Sequence, residues 1–169
     1  MSIDQCEQRK GTGVELRPAC PEDEAFLYEL YCSTRKEELA AFGLDDVQRK
    51  TFLELQFRGQ RQHYRMQSLP VDHRIVMLGA RPIGHLIVMR SNLEIRLGDI
   101  SLLAEYRGGG IGTALIRELF AESARTGKPV SLHVERSSRA VHLYERLGFV
   151  TVADTGSHFR MERPSQPEL

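Results

Sequence analysis

Asp99-Ile-Ser-Leu-Leu-Ala-Glu-Tyr-Arg-Gly-Gly-Gly-Ile-Gly-Thr-Ala-Leu-Ile116 changes its periodicity halfway along. Its first residues read as a strand, because Ile100, Leu102 and Leu103 supply branched apolar bulk. Its last residues lead into a helix, with Ile111, Ala114, Leu115 and Leu119 recurring at helical spacing. Between them stands Arg107-Gly-Gly-Gly-Ile-Gly112. Glycines this dense at a strand-to-helix junction let backbone N–H groups approach a ligand that side chains would block. The helix that follows offers unsatisfied N–H groups and the positive end of its macrodipole, so the junction suits an anion, above all a phosphate. Arg107 can add a forked, charge-assisted contact to the same oxygens.

Two common glycine-rich phosphate sites are excluded. A Walker loop ends in Gly-Lys-Ser/Thr, and Gly112-Thr113 has no lysine. A dinucleotide fingerprint needs Gly-x-Gly-x-x-Gly. Gly110 and Gly112 supply the first pair, but Leu115 holds the third position and the turn falls late in the chain. A tight turn with no ligand is the remaining alternative, for which one or two glycines would suffice.

Arg107-x-x-Gly110-x-Gly112 resembles the pyrophosphate-binding signature of the GNAT acetyltransferases, Gln/Arg-x-x-Gly-x-Gly/Ala. Val130-Ser-Leu-His-Val-Glu135, followed by Ala140-Val-His-Leu-Tyr-Glu-Arg-Leu-Gly-Phe149, is similar to the same family's second block, a strand and then a helix ending Leu-Tyr-Glu-x-Leu-Gly-Phe. The blocks stand in the family's order, and the resemblance runs from Val71 to Arg163. It implies an α/β fold with a mixed, splayed sheet of about six to seven strands flanked by helices. A single acyl-CoA N-acyltransferase domain would occupy residues 14–163, with a flexible N-terminal tail at 1–13 and a C-terminal tail at 164–169. The implied activity moves an acetyl group from acetyl-CoA to an amine through a tetrahedral intermediate, without a metal. A transferase using another acyl-CoA and a non-catalytic acyl-CoA sensor are the alternatives on the same fold.

The resemblance also assigns roles. The main chain from Arg107 through Gly108, Gly109, Gly110, Ile111, Gly112 and Thr113 would take the pyrophosphate. The strand Asp99–Leu103 would offer its edge to the pantetheine arm, whose amides mimic a peptide. A backbone N–H at Leu102 or Leu103 would polarise the thioester carbonyl and hold the oxyanion. Tyr144, in Leu-Tyr-Glu, would protonate the departing thiolate. Read from its neighbours alone it is a packing residue, because Ala140, Leu143, Tyr144 and Leu147 share a helix face. Where many family members carry a pantetheine-binding asparagine seven residues before the tyrosine, this chain has Ser137, which keeps a donor and an acceptor with less reach and can also cap the helix.

An alkylammonium acceptor must lose a proton before it attacks. The candidate bases are Glu94, Asp99, Glu135 and ordered water. His133 and Glu135 alternate onto one strand face, but two ligands are too few for a metal, and a polar pair is the preferred reading.

The chain has 169 residues, enough for a proper core, and 23 basic residues balance 23 acidic ones. A net charge of zero gives no electrostatic argument for nucleic acid or an anionic membrane. Cys6, Cys20 and Cys32 are odd in number and form no Cys-x-x-Cys, so neither a zinc ribbon nor a disulfide framework is supported. No apolar run is long enough to span a bilayer and no apolar signal core opens the chain, so a cytoplasmic location is the default. The expected partners are acetyl-CoA and an amine, with no nucleic acid and no membrane; a homodimer is left open.

Along the chain, Val14–Arg17 reads as a strand, and Pro21 with Glu22 and Asp23 as a helix entry followed by Leu27, Leu30, Tyr31 and Thr34 on one face. A second helix starts near Asp45 and Asp46 and runs toward Tyr64, with Gly59 as its weak point. Arg35, Lys36, Glu37 and Glu38 read as a solvated face or the rim of an acceptor site. Strands at 74–78, 83–89 and 93–103 precede the central helix, which ends at Thr126. A strand at 130–134, a helix capped by Ser137 or Ser138, and a hairpin of 149–153 with 157–162 follow.

Overall fold

The computed structural model describes residues 13–166, so the expected N-terminal tail lies outside the described residues apart from Gly13, as do the last three of the expected C-terminal tail. β1 is Val14–Pro18. Pro21 then opens one 3₁₀ turn, Pro21–Asp23, since its fixed φ suits the first helical position. The Asp23 carboxylate holds this entry: it accepts from the Cys20 N–H at 2.9 Å and from both terminal nitrogens of Arg17 at 2.7 and 2.6 Å. α1 follows as Glu24–Ala40 and α2 as Asp46–Arg65. Asp45 caps α2 reciprocally with Gln48, each side chain accepting from the other's backbone N–H, at 2.8 and 3.1 Å. Gly59 does not interrupt α2. A mid-helix glycine costs only about 1 kcal/mol against alanine, and burial of Leu53 and Phe57 offsets it.

β2 is Val71–Leu78 and β3 is Arg81–Arg90, so the turn between them is shorter than expected, with Arg81 and Pro82 already in β3. β4 is Ile95–Leu102, α3 is Ile111–Thr126 and β5 is Val130–Glu135. α4 is Ala140–Arg146, and β6 (Val150–Asp154) and β7 (His158–Arg163) close the fold. The seven strands form one mixed sheet in the order β1-β2-β3-β4-β5-β7-β6, flanked by helices, as expected. β4 and β5 are parallel, a pairing that needs a crossover, and α3 supplies it.

The chain divides into two compact units. One holds the described residues up to Leu86 together with Ile100–Gly112. Here β1 pairs antiparallel with β2 from Val14↔Leu78 to Pro18↔Arg74. Leu27 and Tyr31 of α1 and Leu53 and Phe57 of α2 pack with Ile75 of β2, and the Phe57 ring lies 5.3 and 5.5 Å from those of Tyr28 and Tyr31. Of the expected solvated charges, Lys36 is exposed and Arg35 lies over the Tyr31 ring; the side chains of Glu37 and Glu38 fall outside the described residues.

The other unit holds Ile87–Asp99 and the described residues from Thr113 onward. β7 pairs antiparallel with β5 over all of Val130–Glu135 and with β6 on its other side. The parallel register of β4 with β5 covers three pairs, from Ile95↔Val130 to Leu97↔Leu132. Val130, Leu132 and Val134 are buried, and Leu115, Ile116 and Leu119 recur at helical spacing on the buried side of α3. Gly127, with φ at 71°, ends α3. The fully buried Ser123 holds this corner: its carbonyl accepts from the Gly127 N–H and, at 2.8 Å, from the Ser165 hydroxyl, which ties part of the expected tail to the helix.

Replacing Asp23 by Asn should cost about 2 kcal/mol at pH 7, a charged-hydrogen-bond value discounted because Arg17 stays over a third exposed. Hydrogen bonding to Arg17 holds the Asp23 carboxyl far below its ordinary value. This contribution is therefore complete above about pH 4 and shrinks as the pH falls toward the folded-state value. Urea unfolding curves should show a gap between Asp23→Asn and the parent at pH 7 that narrows between pH 4 and pH 2; a gap independent of pH would rule out the carboxylate charge as its source.

Candidate active site

β4 ends at Leu102, a single 3₁₀ turn covers Ala104–Tyr106, and the glycines follow. Gly108 and Gly110 take φ values of 76° and 84°, the left-handed region that only glycine enters without strain. All three residues of Gly108–Gly110 are exposed, and a Cβ added at any of them would meet no heavy atom within 4 Å. α3 starts at once, and its first turn contains no acidic side chain. Its leading N–H groups thus follow directly on an exposed stretch of bare main chain, with no carboxylate in their own first turn to take them. The residues fit a phosphate.

Arg107 is exposed, and its Nε donates to the Leu102 carbonyl at 2.8 Å. A forked contact to phosphate therefore falls to its two terminal nitrogens, which form no ion pair among the described residues. Leu102 and Leu103 both bury their side chains, so only their main chain can meet a ligand. Of the two expected oxyanion donors, the Leu103 N–H is already engaged: it donates to the Ile83 carbonyl at 2.9 Å. Leu102 is left as the candidate.

Tyr144 lies half-buried on α4 with its ring edge-on to Phe149 at 5.6 Å; Phe149 in turn contacts Phe120 at 5.7 Å. Both readings of this tyrosine keep support, since the ring packs while the hydroxyl forms no hydrogen bond among the described residues. Burial, and then the negative charge of Asp99, push its phenol up to about 12. The fold thus brings Asp99 within electrostatic range of Tyr144 in one unit.

Glu94 has a different setting. It stands just before β4 in a turn where Ser91 Oγ accepts the Glu94 N–H at 3.1 Å. Its carboxylate accepts from Arg160 Nη2 at 2.9 Å, from Arg96 Nε at 3.1 Å, and from Arg96 Nη2. The fully buried Ser131 turns its hydroxyl toward the same group without reaching strict hydrogen-bond geometry. Burial pushes the Glu94 carboxyl up, but Ser131, Arg96 and Arg160 outweigh it and leave it below its ordinary value. A carboxylate pinned by two guanidiniums is a weak proton acceptor. His133 stands beside the same arginines; desolvation first, then the charges of Arg96 and Arg160, hold its imidazole below the ordinary value. Ser137 donates to the Glu135 carboxylate at 3.0 Å, and Ser138 makes the capping contact by accepting the Ala140 N–H at 3.2 Å. No group of three or more His, Cys, Asp or Glu able to hold a metal exists among the described residues.

Residues 72–151 match the family model described as an acetyltransferase (GNAT) domain. The whole fold is similar to solved acetyltransferases. The PaiA N-acetyltransferase of Thermoplasma acidophilum, in complex with coenzyme A, is 21% identical, with 89% of this chain and 98% of that one covered at a TM-score of 0.68. An acetyltransferase of Thermus thermophilus is 18% identical over 89% and 96%, with a TM-score of 0.66. The ribosomal-protein-S18-alanine N-acetyltransferase of Escherichia coli is 20% identical over 92% and 96%, with a TM-score of 0.61. At these identities the likeness is one of fold. No protein with a curated description matches the chain in sequence. Residues 72–151 thus carry the signature of a GNAT acetyltransferase domain, and the chain shares the fold of solved acetyltransferases.

Glu94→Gln should lower stability at pH 7 by about 2 kcal/mol, because two partly buried guanidiniums lose a charged acceptor. For a chain of this size that is a fall in Tm of roughly 4–8 °C. The Glu94 pKa is lowered on folding, so the difference between variant and parent should diminish as the pH falls below about 4. Calorimetric melts at pH 7 giving equal Tm values would show that the cluster holds nothing.

Proposed function

We propose that this protein transfers an acetyl group from acetyl-CoA to an amine by direct attack, in the cytoplasm. The observation that carries the reading is the exposed, side-chain-free turn Gly108–Gly110 ahead of α3, open where an anion would sit. The GNAT signature at 72–151 supports it, as does the fold shared with an N-acetyltransferase crystallised with coenzyme A. In this reading the main chain from Gly108 to Thr113 holds the diphosphate, helped by the terminal nitrogens of Arg107. The edge of β4 takes the pantetheine arm, and the Leu102 N–H polarises the thioester carbonyl and steadies the oxyanion that forms there.

As the amine nitrogen bonds to the acetyl carbon and the carbon–sulfur bond breaks, Tyr144 meets the departing thiolate. A phenol raised to about 12 stays protonated at physiological pH, and a thiolate with a pKa near ~8.5 is the weaker base, so Tyr144 acts chiefly by hydrogen-bonding the developing charge. Asp99, whose charge reaches Tyr144, is the proposed acceptor of the amine's proton, directly or through water, while Glu94 is tied to its arginines. Ser137 is a weaker candidate for the pantetheine because its hydroxyl is engaged by Glu135. Described residues contain no helix long and apolar enough to cross a membrane.

Titration calorimetry with CoA, followed by thiol release from acetyl-CoA across a panel of amines, tests the reading. Binding with amine-dependent thiol release is expected; no heat with CoA or acetyl-CoA would overturn it, and binding without turnover on any amine would favour the sensor. Tyr144→Phe should lower kcat by about tenfold to a hundredfold while leaving the CoA Kd in place. A variant with full kcat and a lowered Tm would return Tyr144 to the core.

A further inference from the structure

Two successive peptides at the end of β4 are constrained by the turn after it and by β3. The Leu102–Leu103 peptide is bonded at both ends: its carbonyl accepts from Arg107 Nε at 2.8 Å, and its N–H donates to the Ile83 carbonyl at 2.9 Å. The Ser101–Leu102 peptide lies closely against Gly84 on β3. A Cβ built on Gly84 would stand 2.3 Å from the Ser101 carbonyl oxygen, 2.6 Å from Leu102 Cδ2 and 3.2 Å from Leu102 Cα. The first and last of these are backbone atoms, so a side chain at 84 can be admitted only if β4 moves. A trans peptide is planar with its C=O and N–H antiparallel. With the Ser101 oxygen turned to Gly84, the Leu102 N–H is therefore aimed away from β3.

We infer that Gly84 and Arg107 are positioning residues for acyl transfer: together they fix the plane of the peptide that carries the Leu102 N–H. This rests on the proposed function, in which that N–H meets the thioester oxygen. Gly84 sets how closely β3 approaches; Arg107 pulls on the next carbonyl from the opposite end of the turn. Arg107 thereby ties the orientation of the strand end to the start of the phosphate turn, apart from any charge it offers a diphosphate. An oxyanion donor is worth about a hundredfold to a thousandfold in kcat when well placed, and misplacement by a fraction of an ångström forfeits part of that.

Glutamine separates the two roles of Arg107. Counted along the side chain, its Nε2 donor falls where arginine has Nε, but it carries no charge. Arg107→Gln and Arg107→Ala thus lose the same charge and differ in the donor to Leu102. Turnover with acetyl-CoA and the best amine, together with the Kd for CoA by calorimetry, should give a kcat about tenfold or more higher for Arg107→Gln than for Arg107→Ala at similar Kd. Gly84→Ala should lose about tenfold or more in kcat with the Kd for CoA changed by less than about threefold. Equal kcat in the two Arg107 variants, or parental turnover in Gly84→Ala, would overturn the inference even with an active parent. Should Gly84→Ala fail to fold, the Arg107 pair still decides. A parent that binds no CoA or releases no thiol would instead defeat the proposed function, and this inference with it.

Discussion

Main-chain N–H groups at the start of α3 need acceptors, and the first turn of the helix has no acidic side chain to offer them. Most of the candidate site follows from that requirement. Left-handed glycines at Gly108 and Gly110 bend the chain so that bare backbone borders those groups, and the exposure of Gly108–Gly110 leaves room for an anion. Any side chain there would fill the approach, and any residue other than glycine would strain the two left-handed positions. The helix itself is secured elsewhere, by burial of Leu115, Ile116 and Leu119 along one face and by Ser123 at its far end. Its opening turn is thus relieved of a structural duty that most helices give to a capping side chain.

The ionisable groups sort by environment. Glu94 is surrounded by donors and keeps its charge, which makes it a link joining the residue before β4 to Arg96 and to Arg160 on β7. Tyr144 packs edge-on against the Phe149 ring, feels the Asp99 carboxylate, and keeps its proton. One carboxylate is locked in an ion-pair network, and the other acts on the phenol proposed to face the leaving group. The two guanidiniums on Glu94 argue against it as the proton acceptor, and the reach of the Asp99 charge to Tyr144 is what supports Asp99 in the proposed reaction.

Several features lay beyond the reach of pattern. The partner of Glu94 on β7 is 66 residues away along the chain, and no local spacing announces it. Ser137 and Ser138 are adjacent serines before one short helix; which caps and which turns to Glu135 depends on backbone direction at the exit from β5. Leu102 and Leu103 are equivalent as residue types, and only the pairing with Ile83 removes the second as a free donor. Gly84 reads as an ordinary strand glycine until β4 is seen pressed against it. Gly59, the weak point of α2 by propensity, leaves the helix continuous, since its penalty is small beside the burial of Leu53 and Phe57.

Local periodicity and the two family-like blocks were sufficient for the order of strands and helices, for the turn at Arg107–Gly112 and for the placing of Tyr144 on a helix. These are properties of short stretches, in which propensity, glycine freedom and the alternation of apolar residues act on a few neighbours at a time. Which peptide groups are already bonded, which carboxylate is held by arginine and which strand leans on which are settled by groups far apart in the chain. Such contacts arise only when the sheet assembles, because each depends on where a second strand's backbone comes to rest.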